Sequence, residues 1–359
     1  MNKLCRTYLL LTVLLNLAGC AQESELVPEP VPASKYPICW SVDLAQGQET
    51  RALVDNTLLK ASCTAVADGT NESIGIWGQY TLELNGQERT NQEFNGESLT
   101  YGVQDEVEAW SYTGGARYWR LGAVYDFRAC YPQRLMAELM TESDVSKFQG
   151  GPINTMELQE DILVAALQVN TETADLTQAV PLNMQHVFAA IQFKIKAATG
   201  FTPPSGEGVT SCWLQNQSKE TNLFSPSGHL LHTGNENPEI IWYPSESSDA
   251  PMYVWKHEGL NFNTTSALYA SNGGRDGEIY TRNDGWLLVV PQQVKAETLC
   301  FCYTLKITGD KVFTVKIPAI TYEHGKRYNY LLEISGSNTE LSLEIAPWNK
   351  LDSNHEITV

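Results

Sequence analysis

The sequence predicts an all-β protein of two β-sandwich domains behind a lipoprotein signal peptide. Three observations predict it. Apolar residues recur at every second position through most of the body, which is the period of a half-buried strand. Turn residues interrupt these runs about every 8–15 residues, as in sandwiches and barrels. Outside the N-terminus, no stretch with a 3.6-residue period exceeds about ten residues. The 359 residues exceed one ordinary domain of ~100–150 and fit two. A composition 42% hydrophobic and 18% charged excludes a disordered chain and a coiled coil. The net charge of −18, with no basic stripe, argues against a nucleic-acid partner.

The N-terminus sets the compartment. Lys3 and Arg6 precede a nearly unbroken apolar run from Tyr8 to Leu17. That run is about ten residues long, too short to span a bilayer as a helix, and it reads as a signal peptide. It ends in Leu17-Ala18-Gly19-Cys20, which matches a bacterial lipobox. By that match residues 1–19 are removed and Cys20 is diacylated. Each buried CH₂ of the added palmitate-type chains contributes ~0.8 kcal/mol of membrane affinity. Ala21 follows Cys20, so inner-membrane retention is not favoured by analogy with lipoprotein sorting. Glu23 and Glu25 point to surface export, and Pro28, Pro30 and Pro32 make an extended tether.

Along the body, Ile38, Trp40, Val42 and Leu44 alternate with polar or small residues, predicting one short strand. Residues 46–51 break it. Leu82 and Leu84 lead into Asn85-Gly86, a hairpin signal because both residues tolerate positive φ. An aromatic stretch from Trp110 to Tyr131 closes at Pro132. Residues 136–151 read as a loop. The apolar run from Asp161 to Leu167 reads as a buried strand or one helical turn. Residues 171–177 mark a domain junction, so 20–51 is expected to be a lipidated tether with the first strand, 52–178 the first sandwich and 179–359 the second. In the latter, Val187, Ala189, Ile191, Phe193 and Ile195 predict the clearest strand. Residues 222–248 read as loop. Alternation resumes at Leu299 to Ile307, Phe313 to Ile317, Tyr328 to Ile334, Leu341 to Ile345, and Ile357 with Val359.

Little in the sequence nominates chemistry. No GxSxG, HExxH, P-loop or GxGxxG motif occurs, and neither a catalytic residue nor a cofactor is expected. His229 and His232 are the only close histidine pair. An i,i+3 pair on a strand does not share a face, so solvated loop histidines are expected rather than zinc. His186 reads as a satisfied structural residue. Beyond Cys5 in the signal and Cys20, the cysteines at 39, 63, 130, 212, 300 and 302 show no ligand spacing. They read as buried free thiols, although an oxidising envelope also permits a disulfide. Trp77, Trp110 and Trp119 are expected in the core. Trp242, Tyr243, Tyr253 and Trp255 lie near long loops and are the aromatic residues expected to be exposed.

Several motifs occur together in one order. They are Cys20; the strand Ile38 to Leu44 followed by Thr50-Arg51-Ala52-Leu53-Val54; Tyr118-Trp119 with Tyr125-Asp126-Phe127-Arg128-Ala129 and Tyr131-Pro132; Asp161 to Ala165; Val180-Pro181-Leu182 through Phe193; Gly325-Lys326-Arg327-Tyr328; and Pro347-Trp348. This series resembles the fimbrillins, the type V pilins of Bacteroidia, over residues 20–359. Met184 and Cys130 depart from residues common in that family. The resemblance implies two transthyretin-like β-sandwiches and export as an outer-membrane lipoprotein. It further implies cleavage by an Arg-specific protease, which falls here between Arg51 and Ala52. The strand of Ile38, Trp40, Val42 and Leu44 would then be lost. A strand from another pilin subunit would replace it by donor-strand exchange, with Leu341, Leu343 and Ile345, or Ile357 and Val359, as the donor residues. The implied function is a shaft or tip subunit of a cell-surface fimbrium serving adhesion. The implied partners are other pilin subunits, the outer membrane before processing, and a host or bacterial surface ligand. The alternative reading is a non-polymerising surface lipoprotein that binds glycan or host protein.

Overall fold

The computed structural model describes residues 33–45, 54–64, 69, 71–104, 107–112, 114–135, 147–202, 208–217, 223–234, 236, 238–245, 250–261, 268–269, 286–306, 308–309, 311–335, 338–347 and 357–358. Strands dominate, as the period-two patterning predicts. Among the described residues the one α-helix is Asn56–Cys63, which the patterning did not anticipate. Asp55 starts it: its Oδ1 accepts from the Leu58 N–H at 2.6 Å, an N-cap that satisfies an otherwise orphaned helix donor. Leu59 and Cys63, four apart and on one face, are its buried residues.

The first strand system is a closed barrel. Its order is Val180–His186, Trp40–Leu44, Val107–Tyr112, Gln87–Gln104, Ile74–Leu84, Val124–Tyr131 and Leu163–Asn170, which returns to Val180–His186. The hairpin between Ile74–Leu84 and Gln87–Gln104 turns at Asn85 and Gly86, with φ of 56° and 74°. Both residues adopt the left-handed conformation that a two-residue hairpin requires. Phe94, Tyr125 and Phe127 are fully buried in the barrel core, and Trp110 and Trp119 lie there as expected. The apolar run after Asp161 forms the strand Leu163–Asn170. A strand suits it because Ala129 and Phe127 on the neighbouring strand pair with Ala165 and Leu167.

The second system packs two sheets face to face. One has the order Leu268–Tyr269, Ala189–Ala197, Lys326–Ser335, Asn338–Pro347, Ile357–Thr358, with Leu287–Val289 also paired to Ala189–Ala197. The other has the order Met252–Asn261, Gly208–Asn216, Leu299–Leu305, Val312–Lys316. Phe193 joins them, stacking on Phe301 of the opposite sheet at 4.4 Å and on Tyr330 of its own at 5.0 Å. The predicted inward faces are observed: Ala189, Ile191, Phe193 and Ile195, and Leu299, Phe301, Tyr303 and Leu305, are all in this core.

A third sheet, Lys147–Asn154, Ser227–Thr233 and Glu239–Pro244, occupies segments that read as loops. Pro152, Gly228 and the two histidines mask its alternation. Its Ile153 and Leu230 enter a third apolar cluster with Trp77, Val187, Phe188 and Trp286, between the barrel and the face-to-face sheets. The strand Val180–His186 pairs with Trp40–Leu44 and Leu163–Asn170, and Val187 and Phe188 connect it to Ala189–Ala197 of the second system.

Candidate functional site: the N-terminal strand and its groove

Trp40–Leu44 is short because Ala45 and Gln46-Gly47 follow it. Alternation sends Ile38, Trp40, Val42 and Leu44 into the barrel core, while Cys39 and Asp43 face outward. Trp40 fills the centre. Its ring meets Phe94 at 5.5 Å and Phe127 at 5.0 Å, both edge-on, the arrangement that aromatic quadrupoles favour. Its buried indole Nε1 has no hydrogen-bond partner among the described residues. An unmet buried donor costs about 1–3 kcal/mol.

The backbone of this strand is held unequally. On one side it runs parallel to Val180–His186 through five residue pairs, from Trp40 with Val180 to Leu44 with Met184. On the other side it meets Val107–Tyr112 only at Trp40 and Trp110. The barrel is therefore closed at that seam by a single bridge. Upstream, Ala33–Pro37 lies antiparallel to Tyr118–Arg120, and the Ile38 N–H donates to Arg117 O at 2.7 Å. Downstream, the Leu44 N–H donates to Asn56 Oδ1 at 2.8 Å, tying the strand to the helix. Cys20, Arg51 and Ala52 lie outside the described residues, Arg51 and Ala52 in the connection between Ala45 and Val54.

The candidate donor residues are placed very differently from one another. Asn338–Pro347 is an inner strand of its sheet, paired to Lys326–Ser335 through ten residue pairs. Leu341 packs against the sandwich core, and Ile345 is 42% exposed. Leu343 pairs by backbone with Tyr330 and Ile357. Ile357–Thr358 is held by only two pairs, to Leu343 and Ser342. Val359 lies outside the described residues. Among the described residues, Leu341, Leu343, Ile345 and Ile357 pair within the second system and not with the barrel strands of their own chain.

Polar groups beneath the barrel were less legible. His232 is fully buried on Ser227–Thr233 rather than solvated in a loop, whereas His229 is exposed. The buried Arg128 guanidinium donates to His232 O at 3.0 Å and Gly234 O at 3.2 Å, and its Nη1 lies 3.2 Å from His232 Nδ1. Burial, then the Arg128 charge, then His324 push His232 down from 6.5 to about 3. His186 is satisfied as expected, with Nδ1 2.9 Å from Asp161 Oδ2. No spacing in the sequence could have paired Arg128 with His232, 104 residues away.

The remaining expected features fall mostly into packing. All six described cysteines are free, and five are buried. Burial raises the Cys63 thiol to about 12 and the Cys300 thiol to about 11, which makes them poor nucleophiles. Among the described residues no cluster has metal-binding composition. Tyr253 is buried, not exposed, because it reaches Thr155 Oγ1 at 2.5 Å. Trp242 is half-buried, donating to Val187 O at 2.7 Å, while Tyr243 is 54% exposed. No helix among the described residues is long and apolar enough to cross a membrane.

No curated protein matches the chain. Among solved structures, a fimbrial protein from Bacteroides vulgatus aligns at a TM-score of 0.57 with 16% identity, over 87% of this chain and 99% of that one. The tip fimbrial protein Mfa3 from Porphyromonas gingivalis, with C-terminal truncation, aligns at 0.37 with 13% identity, over 77% and 95%. The model of the fimbrillin-like family matches residues 50–348, from the connection after the N-terminal strand to the residue beyond Asn338–Pro347. The chain is a member of the fimbrillin-like family.

Proposed function

We propose that the chain is a shaft or tip subunit of a cell-surface fimbria serving adhesion. It is exported as an outer-membrane lipoprotein acylated on Cys20. It assembles by donor-strand exchange after cleavage between Arg51 and Ala52. The observation that carries this reading is the lopsided attachment of Trp40–Leu44: three core side chains, with Ile38 just ahead of it a fourth, a full ladder on one edge and one bridge on the other. Cutting the connection between Ala45 and Val54 would leave this strand as a separable peptide.

Its loss would expose an apolar groove and two backbone edges. An incoming strand satisfies both at once. Refilling four side-chain pockets contributes roughly 6–12 kcal/mol, of which ordering the incoming strand takes back a comparable share. The distal C-terminal segment suits the donor role better than Asn338–Pro347. Withdrawing Asn338–Pro347 would break ten pairs and uncover Leu341 and the core beneath it, whereas Ile357–Thr358 gives up two. The reading gives the chain no catalytic role.

The N-terminal residue of the protein on native cells tests the reading, by sequencing or mass spectrometry. Ala52 is expected, together with SDS-resistant ladders of polymer. A lipidated Cys20 on every copy, with no ladder and with saturable glycan binding, would make the chain a monomeric surface binder instead.

A further inference from the structure

Among the described residues, five buried side chains other than tyrosine and cysteine can carry a charge: Arg128, Asp161, His186, His232 and Arg327. All five lie where the barrel, the third sheet and the second system adjoin, around the apolar cluster of Val187, Phe188 and Trp286. Four of them line up through His324, in the turn between Ile320–Tyr322 and Lys326–Ser335. His186 Nδ1, at the end of a barrel strand, is 2.9 Å from Asp161 Oδ2. The His324 ring bonds to the backbone of His186, and a charge on it bears on His232 of the third sheet. His232 Nδ1 in turn is 3.2 Å from Arg128 Nη1 of the barrel. Two bonds beside this row pin the strand systems together. The Gly325 N–H donates to Phe188 O at 2.9 Å, and the Trp242 indole donates to Val187 O at 2.7 Å.

The row suits uncharged imidazoles. A proton on His186 meets the Asp161 carboxylate. A proton on His232 meets the Arg128 guanidinium, a like charge that burial leaves poorly screened. A proton on His324 faces His186 and His232 on one side. On the other it faces Glu323 and Lys326 of its own turn, which pair with each other at 2.7 Å. Arg327, over the Trp286 ring at 5.2 Å, adds a further cation nearby. The Tyr131 phenol faces Asp161 and is pushed up mainly by burial. Among the described residues the row therefore has one buried carboxylate for three imidazoles and two guanidinium groups. Burial, the largest influence on both rings, pushes His324 below the ordinary imidazole range and His232 down to about 3.

We infer that this row is an acid-operated joint: protonation of His232 and His324 parts the barrel from the third sheet and from the turn at His324, while the barrel core and the core of the second system stay packed. Acid acts at the joint because the buried groups it can charge lie there and not in the two cores. Each ring is held low in the closed joint and returns toward about 6.5 when hydrated. Above pH 6.5 neither form holds the proton, and closure has its full support. As pH falls from 6.5 toward the closed-state values, the open form takes up protons that the closed form refuses. At pH 5, a ring at 6.5 when open and well below 5 when closed shifts the equilibrium about 30-fold toward opening. The joint belongs to the single chain and does not rest on polymerisation.

Hydrogen exchange of the full chain, read by mass spectrometry at pH 7 and pH 5 and corrected for the intrinsic rate, tests the joint. Peptides carrying Gly325 should lose about tenfold or more in protection at pH 5. Their exchange should also stay flat in urea below the unfolding transition, since a local opening exposes little surface. Peptides carrying Phe127 and Phe301, in the two cores, should instead exchange faster with each step in urea. His232→Gln together with His324→Gln should cut the acid loss at Gly325 to about threefold or less. His324→Gln alone, in a half-buried turn, should still reduce it, and it serves if the double variant does not fold. Unchanged protection at Gly325 would overturn the inference. So would exchange at Gly325 that climbs with urea in step with the two cores, which is global unfolding, or an acid loss undiminished in the folded variants.

Discussion

At the scale of single residues, Trp40 and His232 carry the sharpest expectations. Trp40→Ala removes a ring packed edge-on between Phe94 and Phe127 and should cost roughly 3–5 kcal/mol in urea unfolding. Trp40→Phe should cost less than half of that, because it also removes the unpartnered indole N–H. His232 has a folded-state pKa of about 3, below the ordinary 6.5. Above 6.5 neither folded nor unfolded chain holds the proton and its contribution is complete. As pH falls from 6.5 toward 3, the unfolded chain takes up a proton that the folded one refuses. Stability should therefore drop across that window by a few kcal/mol, roughly 3–5 for this one group. Denaturant midpoints measured from pH 7 to pH 4 check this, and His232→Gln should flatten the slope. The sequence signalled Trp40 through its alternating neighbours. It could not signal His232, since what buries that ring is Arg128 and a third sheet assembled from distant segments.

At the scale of elements, the two termini differ in how firmly they are held. Truncation after Ser353 removes Ile357–Thr358 and its two backbone pairs. The folded monomer should persist, with unfolding changed by less than about 1 kcal/mol, while SDS-resistant polymers disappear. Polymers formed by this truncated chain would move the donor role elsewhere. Truncation after Ser335 takes Asn338–Pro347 as well and should unfold the sandwich, because ten pairs and the cover over its core are lost together. Most strands were legible from alternation: Ile38 to Leu44, Ala189 to Ile195 and Leu299 to Leu305 place their apolar sets on the inward faces. Lys147–Asn154 and Ser227–Thr233 were not. Glycine, proline and histidine break their period, and their burial comes from a neighbouring sheet rather than from their own pattern. The helix Asn56–Cys63 was missed for a related reason: two turns are too short for a 3.6-residue period to declare itself, and only the Asp55 cap marks its start.

At the scale of the whole molecule, Arg128 bridges barrel and third sheet through two backbone carbonyls while fully buried. Arg128→Ala should destabilise the chain by roughly 3–5 kcal/mol and open the junction around Val187 and Phe188 to proteolysis, which limited digestion followed by mass spectrometry would locate. The all-β class was legible from composition and period. Closure of the first sheet was not, because it depends on a parallel pairing between the two ends of the barrel segment. That pairing also governs the order of events as the chain is made. Ser41 bonds to Val180, 139 residues away in sequence. Synthesis runs from the N-terminus, so the strand Trp40–Leu44 must wait, exposed and sticky, until about two-fifths of the polypeptide has followed it. Such distant contacts make folding slow. They also leave that first strand open to capture by helper proteins, or by the wrong edge, during the interval.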